Sequence, residues 1–177
     1  MDPFEMLGVA RRFDLDLGAV EKVHRELSRA LHPDKHVQAS ASERRAVLDK
    51  AASVNEAWRI VRDPIRRAES LFDLSGIAVG ENNEPKASAA FLMDVLEMRE
   101  ALAEARAHKD VAKVEALAGD VRGRAKKAEA ALATGFAATS ARPDRAALEK
   151  LLPSLGELRF YRRFLDEVSA FEEEQDA

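Results

Sequence analysis

The sequence predicts an all-α protein: an antiparallel helical hairpin with short flanking helices, joined to a C-terminal three-helix bundle. Three observations carry this prediction. Alanine is abundant while aromatic residues make up only 6% of 177 residues, a balance that favours helix over sheet. Apolar residues recur at helical spacing over long segments. Proline, glycine and capping residues cut those segments at helix-like lengths. Hydrophobic residues at 46% and charged residues at 34% supply both a core and a soluble surface, so disorder is not expected.

Each element can be justified in order. Asp2 and Pro3 open a short first helix through Leu7, Asp2 as N-cap and Pro3 at the first helical position, and Gly8 ends it. Asp14 or Asp16 caps a second helix running to about Leu31. Leu17, Val20, Val23, Leu27 and Leu31 share its core face, and Lys22, Arg25 and Arg29 lie opposite. Pro33 disfavours helical geometry at His32 and cannot continue a helix, so the chain leaves the helix at His32-Pro33-Asp34. A third helix starts near Ser42, where Ser42-Glu43 offers a cap and early negative charge. Val47, Ala51, Val54, Trp58 and Val61 form its stripe, widened by Leu48. Helices two and three then pack as an antiparallel pair with the triplet at the turn.

Asp63-Pro64 restarts a shorter fourth helix, which ends at Ser75-Gly76. Gly80, Asn82-Asn83 and Pro85 mark a linker, so the domains are expected at 1–75 and 88–177, with 76–87 between them. The second half reads as three helices. One runs from about Ser88 to Ala107. The next, from about Asp110 to Thr134, carries Val111, Val114, Leu117, Val121, Ala125 and Leu132 on its inner face, weakened locally by Gly119 and Gly123. Gly135 to Pro143 reads as a loop. The last helix begins near Asp144, is interrupted at Pro153 and continues to the acidic tail.

Several function classes are excluded or disfavoured. The chain has no cysteine, which removes disulfides, thiolate zinc sites and cysteine nucleophiles. A net charge of -4 shows no broad basic surface for nucleic acid. There is no apolar signal-peptide core and no run long enough to span a bilayer. The expectation is a soluble cytoplasmic protein with no membrane contact, no metal and no cofactor.

Three chemistries compete for His32 and Asp34. The first is an ordinary helix-ending loop with Pro33 as breaker. The second pairs His32 with Asp34 as a base and its orienting group, but no nucleophile, phosphate loop or third polar partner accompanies them. The third joins His32 to His36 as metal ligands, and Pro33 prevents one continuous helical turn from carrying both. Taken alone, the triplet reads as a loop.

In the second half, Phe91, Val95, Met98 and Leu102 fall on one helix face, a core stripe. Leu92, Met93 and Leu96 fall roughly opposite, beside Glu97, Glu100 and Glu104. Burying unpaired carboxylates is costly, so this outer face reads as an exposed apolar patch rimmed by charge, a binding surface. In the last helix Leu155, Leu158, Tyr161, Leu165 and Val168 make a core stripe, and Phe160 points away from it.

The flanks of the triplet add a resemblance. The run Val23-His24-Arg25-Glu26-Leu27-Ser28-Arg29-Ala30-Leu31-His32-Pro33-Asp34-Lys35 resembles the second helix and loop of a J-domain. Val54-Asn55-Glu56-Ala57-Trp58-Arg59-Ile60-Val61-Arg62-Asp63-Pro64, followed by Arg67-Ala68-Glu69-Ser70-Leu71-Phe72-Asp73-Leu74-Ser75-Gly76, is similar to the HscB family, co-chaperones of iron–sulfur cluster assembly. Ser70 stands where family members usually carry Tyr. The likeness covers nearly the whole chain, strongest through Gly76 and from Phe91 to Leu102, and weak from Val111 to Leu152. The lack of an N-terminal cysteine module points to the bacterial form.

The resemblance implies an N-terminal J-domain, a function and two sets of contacts. Lys22, Arg25, Arg29, His32, Pro33, Asp34 and Lys35 would dock on an HscA/DnaK-type chaperone and stimulate its ATPase, with His32-Pro33-Asp34 as trigger. Leu92, Met93, Leu96, Glu97, Glu100, Glu104 and Phe160 (or Phe164 after a short shift) would bind the iron–sulfur scaffold IscU. The protein itself would be a monomer and no enzyme. A general J-domain adaptor for another client would share the first surface and differ only at the second.

Overall fold

The computed structural model describes residues 1–80, 87–140 and 144–176, and every regular element among them is helical. They form two compact units. The first comprises Met1–Ala78 with Phe136–Arg145, and the second Val79–Gly135 with Ala146–Ala177. Of the expected linker, Asn82, Asn83 and Pro85 lie outside the described residues.

Capping chemistry sets the elements of the first unit. Helix α1 (Pro3–Leu7) starts where the Asp2 carboxylate accepts the amides of Phe4 and Glu5, and stops where Gly8 takes φ 65°, a conformation glycine adopts without strain. Helix α2 (Leu17–Ala30) starts at Asp16 rather than Asp14, because Asp16 accepts the Ala19 amide at 3.1 Å. A short 3-10 turn, Pro33–His36, leads to helix α3 (Ala41–Arg62).

The cap of α3 is Ser40, not Ser42. Ser40 Oγ accepts the Glu43 amide at 3.3 Å, and the Glu43 carboxylate accepts the Ser40 amide at 2.8 Å. A reciprocal cap needs its two residues three apart, a spacing that Ser40 and Glu43 have and Ser42-Glu43 lacks. Hydrogen bonds from the Ser40 side chain and backbone hold the Glu43 carboxyl below its ordinary pKa. Asp63 then ends α3 and caps helix α4 (Pro64–Leu74), accepting the amides of Ile65 and Arg66 at 2.9 and 3.0 Å.

Helices α2 and α3 pack as the expected hairpin, with Val20, Val54 and Val61 buried. His24 stacks on Trp58 with centroids 5.4 Å apart, and its Nε2 lies 2.9 Å from Asn55 Oδ1. Leu48 is exposed and does not widen the stripe, because one position past Val47 turns it about 100° away. Arg67 is buried: its guanidinium lies 4.6 Å from the Phe13 centroid, and Nη1 donates to the Val61 carbonyl at 2.7 Å. Phe136 belongs to this unit because its ring stacks on Phe13 at 5.8 Å and tilts against Phe72 at 5.0 Å.

The second unit is built on α5 (Ala89–Ala107), α6 (Val111–Ser140) as far as Gly135, a short α7 (Arg145–Glu149) from Ala146, and α8 (Leu152–Asp176). Ser88 caps α5 by accepting the Phe91 amide at 3.1 Å. Val111 is exposed rather than on the inner face, since it sits at the open first turn of α6. Helix α6 continues through Gly135 to Ser140 where a loop was expected; residues 141–143 of that loop lie outside the described residues. One helical glycine costs only about 1 kcal/mol, which packing overrides. Packing also explains the glycine, because a Cβ at residue 135 would overlap the side chain of Leu151. Pro153 lies in the first turn of α8, where no amide is needed, so the break precedes it and makes α7 a separate helix.

Gly135→Ala is expected to destabilise the protein by about 1–3 kcal/mol, the usual cost of overpacking, despite the higher helix propensity of alanine. Urea denaturation measures this. Combining it with Leu151→Ala should make the glycine replacement nearly neutral, and a single variant more stable than the parent would refute the packing explanation.

Candidate interaction surfaces

In the first unit the triplet is presented by the end of α2. Lys22, Arg25 and Arg29 are exposed along that helix, and Lys35 is exposed just beyond the triplet. Arg25 Nη2 lies 3.5 Å from Glu21 Oε1, one turn earlier; an exposed pair of this kind holds the arginine loosely. His32 takes an extended conformation, φ -67° and ψ 132°, and acts as cap of the 3-10 turn. Its Nδ1 accepts the Asp34 backbone amide at 3.3 Å.

That hydrogen bond decides between the chemistries. A carboxylate orients a histidine base by accepting an N–H from the ring, whereas Nδ1 here is itself an acceptor. The Asp34 carboxylate lies 3.5 Å away, with its side chain 87% exposed. The pair therefore lacks the sheltered geometry of a base and its orienting group. For the metal reading, His36 turns its Nε2 to the Ala30 carbonyl at 3.0 Å. Among the described residues, no group of metal-binding side chains gathers. What remains is an exposed, ordered turn at the end of a basic helix face.

In the second unit α5 separates its two stripes as expected. Met98 and Leu102 are buried, with Phe91 and Val95 half-buried. Leu92, Met93 and Leu96 are 51%, 58% and 54% exposed. Glu97, Glu100 and Glu104 are exposed with them. Glu104 bonds Lys113 Nζ at 2.8 Å, which holds its carboxyl below the ordinary range. Asp94, between Met93 and Val95, receives Arg124 Nη1 at 2.6 Å, while Arg124 Nε donates to Asp120 at 2.8 Å. This clamp fixes the start of α5 against α6.

Phe160 differs from expectation. It is only 6% exposed, and Phe164 is buried too. The Phe160 ring meets Phe91 edge-on at 5.8 Å and tilts against Phe164 at 6.3 Å. Arg99 reaches over the ring at 6.0 Å and extends to Glu167 at 3.3 Å. Helix α8 has a second stripe, Phe160, Phe164, Val168 and Phe171, that a wheel centred on Leu155 and Leu158 misses. Phe160 thus supports α5 from beneath, next to Leu92 in sequence through its contact with Phe91. Arg124 was also missed, and His36 was weighed only as a metal ligand; nothing in local periodicity marks the bonds they make. No helix among the described residues is long and apolar enough to cross a membrane.

Comparison with known proteins gives a consistent result. Residues 87–169 match the family model described as the HSCB C-terminal oligomerisation domain. The chain is 38% identical over 120 residues to a co-chaperone protein HscB homolog from Ralstonia nicotianae, covering 68% of each chain. Its fold resembles the chaperone HscB from Vibrio cholerae, with a TM-score of 0.82, 27% identity, and coverage of 98% of this chain and 99% of that one. The human co-chaperone protein HscB matches in fold, with a TM-score of 0.84 at 22% identity, over 97% of this chain and 82% of the other. With an N-terminal J-domain and a C-terminal helical domain, the chain belongs to the HscB family of co-chaperones.

Proposed function

We propose that this co-chaperone stimulates the ATPase of an HscA/DnaK-type chaperone and delivers an IscU-type iron–sulfur scaffold to it in the cytoplasm, for cluster transfer and maturation of iron–sulfur proteins. The observation that carries the first part is the exposed, hydrogen-bonded turn of His32, Pro33 and Asp34 at the end of the basic face of α2. Lys22, Arg25, Arg29 and Lys35 steer that turn onto an acidic partner surface, an effect felt mainly in association rate. The turn then favours the chaperone conformation that hydrolyses ATP, by binding that conformation better than the other.

The second part rests on the α5 patch. Leu92, Met93 and Leu96 offer apolar contacts, Met93 the adaptable one, and Glu97, Glu100 and Glu104 form a charged rim that selects a basic surround. Phe160 contributes by holding Phe91 and α5 in place. A chain that binds chaperone and scaffold at once makes their encounter intramolecular, which raises the effective concentration of the scaffold. The docking module would end near residue 75, with 76–87 as the connection.

His32→Gln should abolish stimulation of the chaperone in a steady-state ATPase assay while leaving the circular dichroism unchanged; undiminished stimulation would sink the trigger role. Replacing Leu92, Met93 and Leu96 together by Ala should weaken scaffold binding at least about tenfold in calorimetry, as expected for a central apolar contact. Unchanged affinity would remove the assignment. Phe160→Ala should instead cost about 3–5 kcal/mol of stability, the range for a buried aromatic ring. A thermal midpoint equal to the parent's would show that the ring carries no packing role.

A further inference from the structure

The triplet that turns the chain also disrupts the hydrogen bonding of α2. In a continuing helix the Ala30 carbonyl would accept the amide of residue 34, or that of residue 33 in a tighter last turn. Pro33 has no amide hydrogen. The Asp34 amide points instead to His32 Nδ1 at 3.3 Å, and the Lys35 amide to the His32 carbonyl at 3.0 Å. The side chain of His36 takes the vacated place, its Nε2 lying 3.0 Å from the Ala30 carbonyl oxygen. A carbonyl only accepts, so Nε2 carries the hydrogen. This bond ties the last residue of α2 to the last residue of the 3-10 turn, with the triplet enclosed between them. From the first turn of α3, Arg44 Nη1 adds a longer contact to the Val37 carbonyl at 3.4 Å.

We infer that His36 is a positioning residue for the trigger: its Nε2–H, bonded to the Ala30 carbonyl, holds His32, Pro33 and Asp34 in the orientation offered to the chaperone. This rests on the reading of that turn as the trigger. His32 through Lys35 are exposed, so no core packing holds them, and ordering them on docking would cost conformational entropy at every residue. A turn already tied at both ends avoids much of that cost. His36 touches no chaperone in this scheme and acts through the triplet.

The test separates the donor from the bulk of the ring. Leucine at 36 fills space without donating, and glutamine restores an N–H donor. In the isolated protein, His36→Leu should speed exchange of the Lys35 and Ala39 amides about fivefold, the weight of one hydrogen bond in competition with water. Exchange at Val54 and Val61 in the hairpin core should not change. Stimulation of a purified HscA-type chaperone at subsaturating co-chaperone should fall by about the same factor. His36→Gln should restore both. Unchanged exchange and stimulation in His36→Leu would overturn the inference, as would a glutamine variant as impaired as the leucine one. Should the parent itself fail to stimulate, the trigger reading falls and the inference falls with it, whereas a stimulating parent with an unaffected leucine variant removes the inference alone.

Discussion

Pro33 has no amide hydrogen, and the first unit is arranged around that deficit. The helix that precedes it must stop, and α2 ends at Ala30. His32 is pushed to an extended conformation, and the chain re-enters with a 3-10 turn closed by the Lys35 amide on the His32 carbonyl. Ser40 and Glu43 then restart the chain as α3, running back along α2. The result is an exposed turn whose Asp34 and Lys35 amides are nonetheless bonded to His32. Beneath it, the hairpin is held by apolar packing and by the His24–Trp58 stack, so a small exposed turn projects from a packed support.

Much of this was legible because caps and breakers act locally. Asp2, Asp16 and Asp63 start helices at the places their side chains dictate. Ser40 was missed because Ser42 sits closer to the apolar run, although the box with Glu43 was present in the spacing. The continuation of α6 through Gly135 had no local signal at all. It follows from Leu151 crossing that position, a contact between residues 16 apart that no window of periodicity contains. The role of His36 was hidden for a similar reason, since it depends on which carbonyl the turn leaves open.

Helices α5 and α8 each carry two apolar stripes, yet the outcomes are opposite. On α5 the second stripe stays in solvent, and on α8 it is buried. The difference lies in how far each stripe runs. Leu92 and Leu96 are followed one turn on by Arg99 and Glu100, so the patch is short and bounded by charge. Phe160, Phe164, Val168 and Phe171 continue for three turns and converge with the first stripe at Val168. A helix with a long second stripe must pack against two neighbours, and Phe91 of α5 supplies one of the contacts on Phe160.

The two surfaces proposed for recognition share a physical logic. Full burial of side chains such as Leu92, Met93 and Leu96 would be worth roughly 1.5–3 kcal/mol each, and their exposure forgoes that stabilisation. Such a patch is useful only if its geometry is fixed before a partner arrives, because order acquired on binding subtracts from affinity. In both units a polar group outside the apolar contacts supplies that order. Asp94, within the patch sequence, is gripped by Arg124, whose second bond to Asp120 anchors the grip on α6. The half-buried ion pair contributes modestly to overall stability, and its value lies in direction rather than strength. His36 stands in the same relation to the triplet, two residues past Asp34 and bonded to the helix the triplet has just left. The residues proposed for recognition stay exposed at the surface, while their neighbours in the chain make the hydrogen bonds that hold them there.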